Sequence, residues 1–271
     1  MNKKKWLLLL VLIGFSSIAQ ANLTLTAPPR ENAKDALRYY GPIAEALGKY
    51  LGEPVSYHHP KNWIEYAREM RAGKYDVVFD GPQFASWRMV HVDHQPIVSL
   101  DGKLQFVVVA LQDRKDIKKM KDVLGKKLCG LASPNLGTLA AFNLFDNPII
   151  QPTVTNVKGG MKAVVKNFME GKCDAAIIRA DLINRMPEEK KNKIKVLAKS
   201  RVMPNQSITA SKRIDVAKRK KMQEFFLSPD GAKAADLLLD RFSKKKKYFV
   251  SPDEKDFSGL NELLEGVVFG W

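Results

Sequence analysis

Residues 73–91 read Gly73-Lys-Tyr-Asp-Val-Val-Phe-Asp-Gly-Pro-Gln-Phe-Ala-Ser-Trp-Arg-Met-Val-His91. Within them Tyr75–Phe79 is a short apolar run with the look of a buried strand. Gly81-Pro82 interrupts it before a helix that runs through about His91. Working upstream, Asn62 suits the N-cap of a helix ending near Gly73, and Val55–His58 reads as another strand. Before that, Ala36, Leu37, Tyr40, Ile43, Ala44, Leu47 and Leu51 recur at helical spacing, with Gly41-Pro42 marking a break or restart. Leu23–Thr26 supplies the first strand. The result is β-α-β-α-β, whose strands should run parallel with right-handed crossovers.

Downstream the same grammar recurs without sequence repetition. Lys127–Ala132, Thr153–Val157 and Asp174–Ile178 read as strands, and Asn135–Phe145 and Met161–Glu170 as helices. Leu104–Leu111 could cross from one unit to the other, and Ser200–Ala210 could cross back. The remainder reads as helices over Val216–Leu227, Pro229–Phe242 and about Phe257–Val268. The expected fold class is therefore α/β: two doubly wound lobes joined by a two-strand hinge. Residues 22–106 and 205–271 form lobe one, and residues 107–204 form lobe two. Ligands of open α/β sheets bind outside the carboxyl ends of the strands. That rule nominates residues 27–30, 58–63 and 80–84 in lobe one, and residues 133–138, 158–161 and 179–181 in lobe two.

The chain has 271 residues, 45 Lys+Arg against 29 Asp+Glu, and 45% hydrophobic residues, which excludes a disordered chain. Residues 1–21 combine basic Lys3–Lys5, apolar Trp6–Phe15 and the small-x-small Ala19-Gln20-Ala21. They read as a cleaved signal peptide, placing the protein in the periplasm. Its loss takes the net charge from +16 to +13. Export and the scatter of lysines over helix surfaces argue against nucleic acid as the partner, and Lys244–Lys247 reads as a solvated loop. No later apolar run is long enough to span a membrane. Cys129 and Cys173 are the only cysteines; in an oxidising compartment, beside neighbouring strands, they are expected to bond. Closing that loop would stabilise the fold by about 4 kcal/mol in the chain-entropy model.

Several residues at the nominated strand ends suit a small anion. Asn135-Leu136-Gly137-Thr138 opens a helix, where free N–H groups favour negative charge. Asn135 could equally be an ordinary cap, Gly137 would allow close backbone approach, and Thr138 could offer a hydroxyl. Arg30 and Arg179 each follow a strand and could aim a guanidinium into the cleft, or pair with Glu31 and Asp181 instead. A charge-assisted hydrogen bond contributes about 1.5–3 kcal/mol, so several could approach the roughly 8 kcal/mol of micromolar binding. Trp63 and Phe84 are either aromatic walls or core residues, and Gln83 is a polar contact candidate.

The four histidines, His58, His59, His91 and His94, fall close together, and His91 and His94 at i, i+3 could share a metal with Asp93 or Asp80. Adjacent His58 and His59 point oppositely on a strand, so a metal- or metalloid-binding protein is the lesser alternative. Neither a Gly-x-Ser-x-Gly nor a His-Glu-x-x-His sequence occurs, which argues against an enzyme. No cofactor is expected.

The order of lobes, with Tyr40-Gly-Pro-Ile-Ala-Glu-Ala-Leu-Gly48, Gly73–Phe84, Leu124-Gly-Lys-Lys-Leu-Cys-Gly130 and Gly171-Lys-Cys-Asp-Ala-Ala-Ile-Ile178, resembles type 2 periplasmic solute-binding proteins. The nearest branch is the phosphate/phosphonate-binding one, over nearly all of residues 23–245. The resemblance implies a monomeric hinged receptor that closes over one small anionic solute and delivers it to an ABC permease in the inner membrane. A ligand-sensing module feeding a membrane signalling protein needs the same features. By resemblance Trp63 and Phe84 stand where the family places aromatic walls, usually tyrosines. Its Ser/Thr-rich anchor turn aligns with residues 134–138, where only Thr138 keeps a hydroxyl. A family histidine falls near Gly159-Gly160-Met161, where this chain has none. Arg179 with Arg30 is then expected to hold a carboxylate, sulfonate or other oxyanion.

Overall fold

The computed structural model describes residues 22–145, 150–243 and 248–265. The expected signal segment, the Lys244–Lys247 loop and the end of the expected last helix lie outside them.

In chain order, β1 (Leu23–Thr26), α1 (Ala33–Leu51), β2 (Val55–His58), α2 (Trp63–Arg71), β3 (Val77–Asp80), α3 (Pro82–His91) and β4 (His94–Leu100) build the first unit. The chain leaves it through β5 (Lys103–Leu104) and β6 (Phe106–Leu111). The second unit follows: β7 (Lys127–Gly130), α4 (Leu136–Phe142), β8 (Thr153–Asn156), α5 (Gly160–Met169), β9 (Ala175–Arg179), α6 (Ala180–Asn184), α7 (Glu188–Lys191) and β10 (Ile194–Lys199). The return passes through β11 (Met203–Pro204) and β12 (Ser207–Ser211) to α8 (Val216–Leu227), α9 (Pro229–Ala234), α10 (Asp236–Phe242) and β13 (Phe249–Val250).

Among the described residues two large sheets form, with the same logic. The first has the order β13-β4-β12-β3-β1-β2 and the second β10-β6-β9-β7-β8. Each keeps its first three strands parallel, as the β-α-β-α-β reading requires. The next strand in each sheet is antiparallel and arrives from the other unit: β12 beside β3 in the first, β6 beside β9 in the second. Between the sheets β5 pairs with β11, Leu104 opposite Met203, and this pair is the expected two-strand hinge. Side chains tie the crossings together: Asn205 Nδ2 donates to the Asp101 carbonyl at 2.9 Å and Gln105 Nε2 to the Ser200 carbonyl at 3.0 Å.

The continuous apolar runs of the central strands follow from burial on both faces. In β6, Phe106, Val108 and Ala110 join one cluster while Val107 and Val109 join another; β9 alternates in the same way. Cys129 on β7 and Cys173 just before β9 are disulfide-bonded across that sheet.

Several elements differ from expectation. Pro42 does not break α1, which runs unbroken for 19 residues. The ring clash that usually ends a helix before proline involves the preceding Cβ, and Gly41 has none. The crossing expected over Leu104–Leu111 is interrupted at Gln105, and the helix expected over Pro229–Phe242 at Ala235. In place of a helix starting near Phe257, the tail makes two 3-10 turns, Glu254–Phe257 and Asn261–Leu263. That tail straddles the molecule: Leu260 packs into the second unit's core, and Leu264 packs beside α2 and α3.

Candidate ligand-binding cleft

The carboxyl ends of β1, β3, β7, β8 and β9 converge on one cleft of about 560 Å³ between the two sheets. From the first lobe come Pro29 and Arg30 after β1, Trp63 opening α2, and Gly81, Gln83 and Phe84 after β3. From the second come Leu131–Leu136 after β7, Asn156 ending β8, Met161 in α5 and Arg179 ending β9. Leu104, Phe106, Asn205 and Gln206 from the crossings and Phe242 from α10 complete it.

Six of the eight residues expected at the site therefore line one void: Arg30, Trp63, Gln83, Phe84, Asn135 and Arg179. Gly137 and Thr138 do not. The Asn135 side chain accepts from Gly137 N at 3.0 Å, so the N–H of the second helical residue is already engaged. A Cβ on Gly137 would stand 2.7 Å from the Phe106 ring, so its close approach serves packing. The Thr138 hydroxyl donates to the Leu131 carbonyl, and the side chain is buried. The expected helix mouth is thus a capped helix start.

The two arginines differ. Arg179 donates from Nε to Asp181 at 2.9 Å and from Nη2 at 3.2 Å, and Arg185 shares that carboxylate at 2.5 Å. Arg30 is not paired with Glu31, whose carboxylate goes to Arg241 at 2.5 Å. Instead Arg30 Nη2 donates to Gln206 Oε1 at 3.1 Å, its guanidinium lies 5.6 Å above the Phe242 ring, and its Nη1 is buried without a hydrogen-bond partner. Such a donor is costly unless a ligand or water meets it.

Trp63 and Phe84 stack at 5.9 Å. Phe84 is 1% exposed and belongs to the core, whereas Trp63 stays partly exposed above it. Gln83 reaches across the cleft and donates from Nε2 to the Pro134 carbonyl at 3.2 Å, while its Oε1 is buried without a partner.

Beneath the β3–α3 corner lies a buried polar network. Arg88 donates to Asp80 at 2.6 and 2.9 Å, the Tyr66 hydroxyl donates to the same carboxylate, and Thr209 Oγ1 accepts from Arg88 at 2.9 and 3.2 Å. His94 contacts Thr209 through Nδ1 and the Tyr75 carbonyl through Nε2, both at 3.1 Å. Because Nε2 faces a carbonyl it carries the proton, and Nδ1 accepts from the Thr209 hydroxyl. Burial and then the nearby Arg88 charge push the His94 pKa down to about 2, so the ring is neutral.

The histidines do not gather for a metal. His58 faces Glu69 at 3.2 Å, His59 bonds the Tyr57 hydroxyl, His91 lies tilted against the Trp87 ring, and His94 is committed to the network above. Among the described residues no group of three or more His, Cys, Asp or Glu side chains is placed to hold a metal ion.

Asn156, Asn205 and Gln206 were not anticipated. The strand-end rule reaches Asn156 once β8 is seen to stop there, but Phe242 ends a helix distant in sequence and carries no local signal.

Among the described residues no helix is long and apolar enough to cross a membrane. A family model described as the periplasmic substrate-binding protein of a phosphonate ABC transporter matches residues 25–257. The phosphate-import protein PhnD of Mycolicibacterium smegmatis is 28% identical over 164 residues, 57% of this chain; the chain spans about half, 46%, of that protein. In fold, the chain is similar to a Xanthomonas citri protein solved with ATP, with TM-score 0.65, 13% identity, and 89% and 94% of the two chains covered. It is also similar to PhnD1 of Prochlorococcus marinus in complex with methylphosphonate, with TM-score 0.62, 15% identity, and 89% and 96% covered. Relatives of this kind are binding proteins and not enzymes. The chain belongs to the phosphonate family of periplasmic substrate-binding proteins of ABC transporters.

Proposed function

We propose that the protein captures a small oxyanion of the phosphonate or phosphate class in the interlobe cleft and presents it to an inner-membrane ABC permease. One observation carries this reading: Arg30 from one lobe and Arg179 from the other line the same void, and Arg30 Nη1 is buried with no acceptor. An oxyanion there would meet that donor and join the two lobes, so binding and closure would be one event. The Gln83 bond to Pro134 would add to the closed state. The M. smegmatis phosphate-import relative and the methylphosphonate-bound neighbour make phosphorus oxyanions the class to test first. Residues 1–21 would direct export and be removed, and the protein would act as a monomer.

The reading is tested by isothermal calorimetry of the purified protein against phosphonates, phosphate, sulfonates and carboxylates. One-to-one binding of at least one phosphorus oxyanion is expected. Silence across the whole panel would refute an oxyanion receptor.

A further inference from the structure

We propose that the cleft selects an organic oxyanion carrying an uncharged, flat apolar body, of which an aryl phosphonate is the simplest example, over inorganic phosphate and aminoalkyl phosphonates. This inference rests on the receptor reading above and names the ligand class for the same site.

The first argument is size. The cleft measures about 560 Å³, inside the roughly 300–1,000 Å³ of sites that take whole organic ligands, and several times the space of a bare tetrahedral anion. The second is the anchor. A small tetrahedral anion is held by many converging donors, yet at the start of α4 the Thr138 hydroxyl and the Gly137 N–H are spent inside the protein. Among the described residues lining the cleft, Arg30 carries the buried cationic donor without a partner, and its guanidinium lies over the Phe242 ring. A charged head at Arg30 therefore has its body beside aromatic surface.

The third argument is charge. Among the described residues arginines line the cleft and carboxylates do not; the adjoining Asp181 is already held by Arg179 and Arg185. A ligand ammonium would be desolvated with no counter-charge, which is costly. Apolar groups have a place instead: Trp63, Phe106, Leu131 and Met161 offer hydrocarbon on both sides of the void.

The test is calorimetric titration of phenylphosphonate, methylphosphonate, inorganic phosphate and 2-aminoethylphosphonate into the purified protein. Phenylphosphonate is expected to bind about tenfold or more tighter than each of the others. Trp63→Ala and the bulkier Trp63→Leu should lower phenylphosphonate affinity by a larger factor than methylphosphonate affinity and so erase most of that preference. If phosphate or 2-aminoethylphosphonate binds as tightly as phenylphosphonate, the inference is overturned and the receptor reading stands. Equal losses for phenyl- and methylphosphonate in both Trp63 variants also overturn it. Failure of all four ligands to bind overturns the inference together with the reading beneath it.

Discussion

Asp80→Asn tests the buried ion pair that fixes the β3–α3 corner from which Gln83 enters the cleft. Asp80 and Arg88 are both fully buried and share two hydrogen bonds of 2.6 and 2.9 Å. Burial works against the guanidinium charge, and the Asp80 carboxylate holds the Arg88 pKa above its ordinary value. The substitution keeps the shape and removes the counter-charge, stranding a cation among neutral acceptors. Breaking a buried pair in this way costs about 3–5 kcal/mol. Arg88→Met strands Asp80 instead and should cost a similar amount. The double variant leaves neither partner's charge at this buried corner, so its loss should fall short of the summed single losses by about 1–3 kcal/mol. Urea unfolding measures all four proteins, with stability compared at constant m. A loss under about 1 kcal/mol for either single variant, or single losses that simply add, would refute the pairing argument.

The remaining tests concern His94 and the disulfide. The folded pKa of His94 lies far below the ordinary histidine value of 6.5, so the unfolded chain binds a proton there that the folded chain refuses. Its contribution is complete above pH 6.5 and is lost as the pH falls toward 2, with a slope approaching about 1.4 kcal/mol per unit. His94→Gln should flatten the stability profile between pH 6 and 4; a profile unchanged from wild type would contradict this. For Cys129 and Cys173, 44 residues apart, native protein should yield no free thiol. Reduction should cost about 4 kcal/mol, visible as a lowered Tm. Thiol labelling without reductant, or an unmoved Tm after reduction, would count against the bridge.

Strands buried on both faces were legible in the sequence because they read as unbroken apolar runs. β3, β6 and β9 are of this kind; the order of β3 and β9 with the helices gave the parallel core of both lobes, which β6 joins antiparallel. β4 and β10 were not. β4 contains Pro96, which suggests a loop, but Pro96 sits opposite Thr209 where the β12–β4 register shifts, a place that tolerates a missing donor. β10 is an edge strand that begins between Lys193 and Lys195, ends on Lys199 and is largely half-exposed, so it lacks the apolar density of its neighbours. Gly41-Pro42 looked like a boundary because both residues usually are; together they remove each other's objection to a helix.

At the cleft, backbone logic reached further than side-chain logic. The strand-end rule brought Arg30, Gln83, Asn135 and Arg179 to one void without any knowledge of contacts. It could not tell that the Asn135 cap and the Leu131 carbonyl would consume the donors of Gly137 and Thr138. Nor could it tell that Glu31 would choose Arg241 and so leave Arg30 available. Those outcomes depend on rotamers set by neighbours far away in sequence.

The central claim is that guanidinium groups from opposite lobes hold an oxyanion between them. Calorimetric titration of the tightest phosphonate into wild-type protein, Arg30→Ala and Arg179→Ala tests it most directly. One-to-one binding is predicted for the wild type, with affinity falling about tenfold or more in each variant and more in Arg30→Ala, since Arg179 already shares Asp181. Unchanged affinity in both variants would contradict the account.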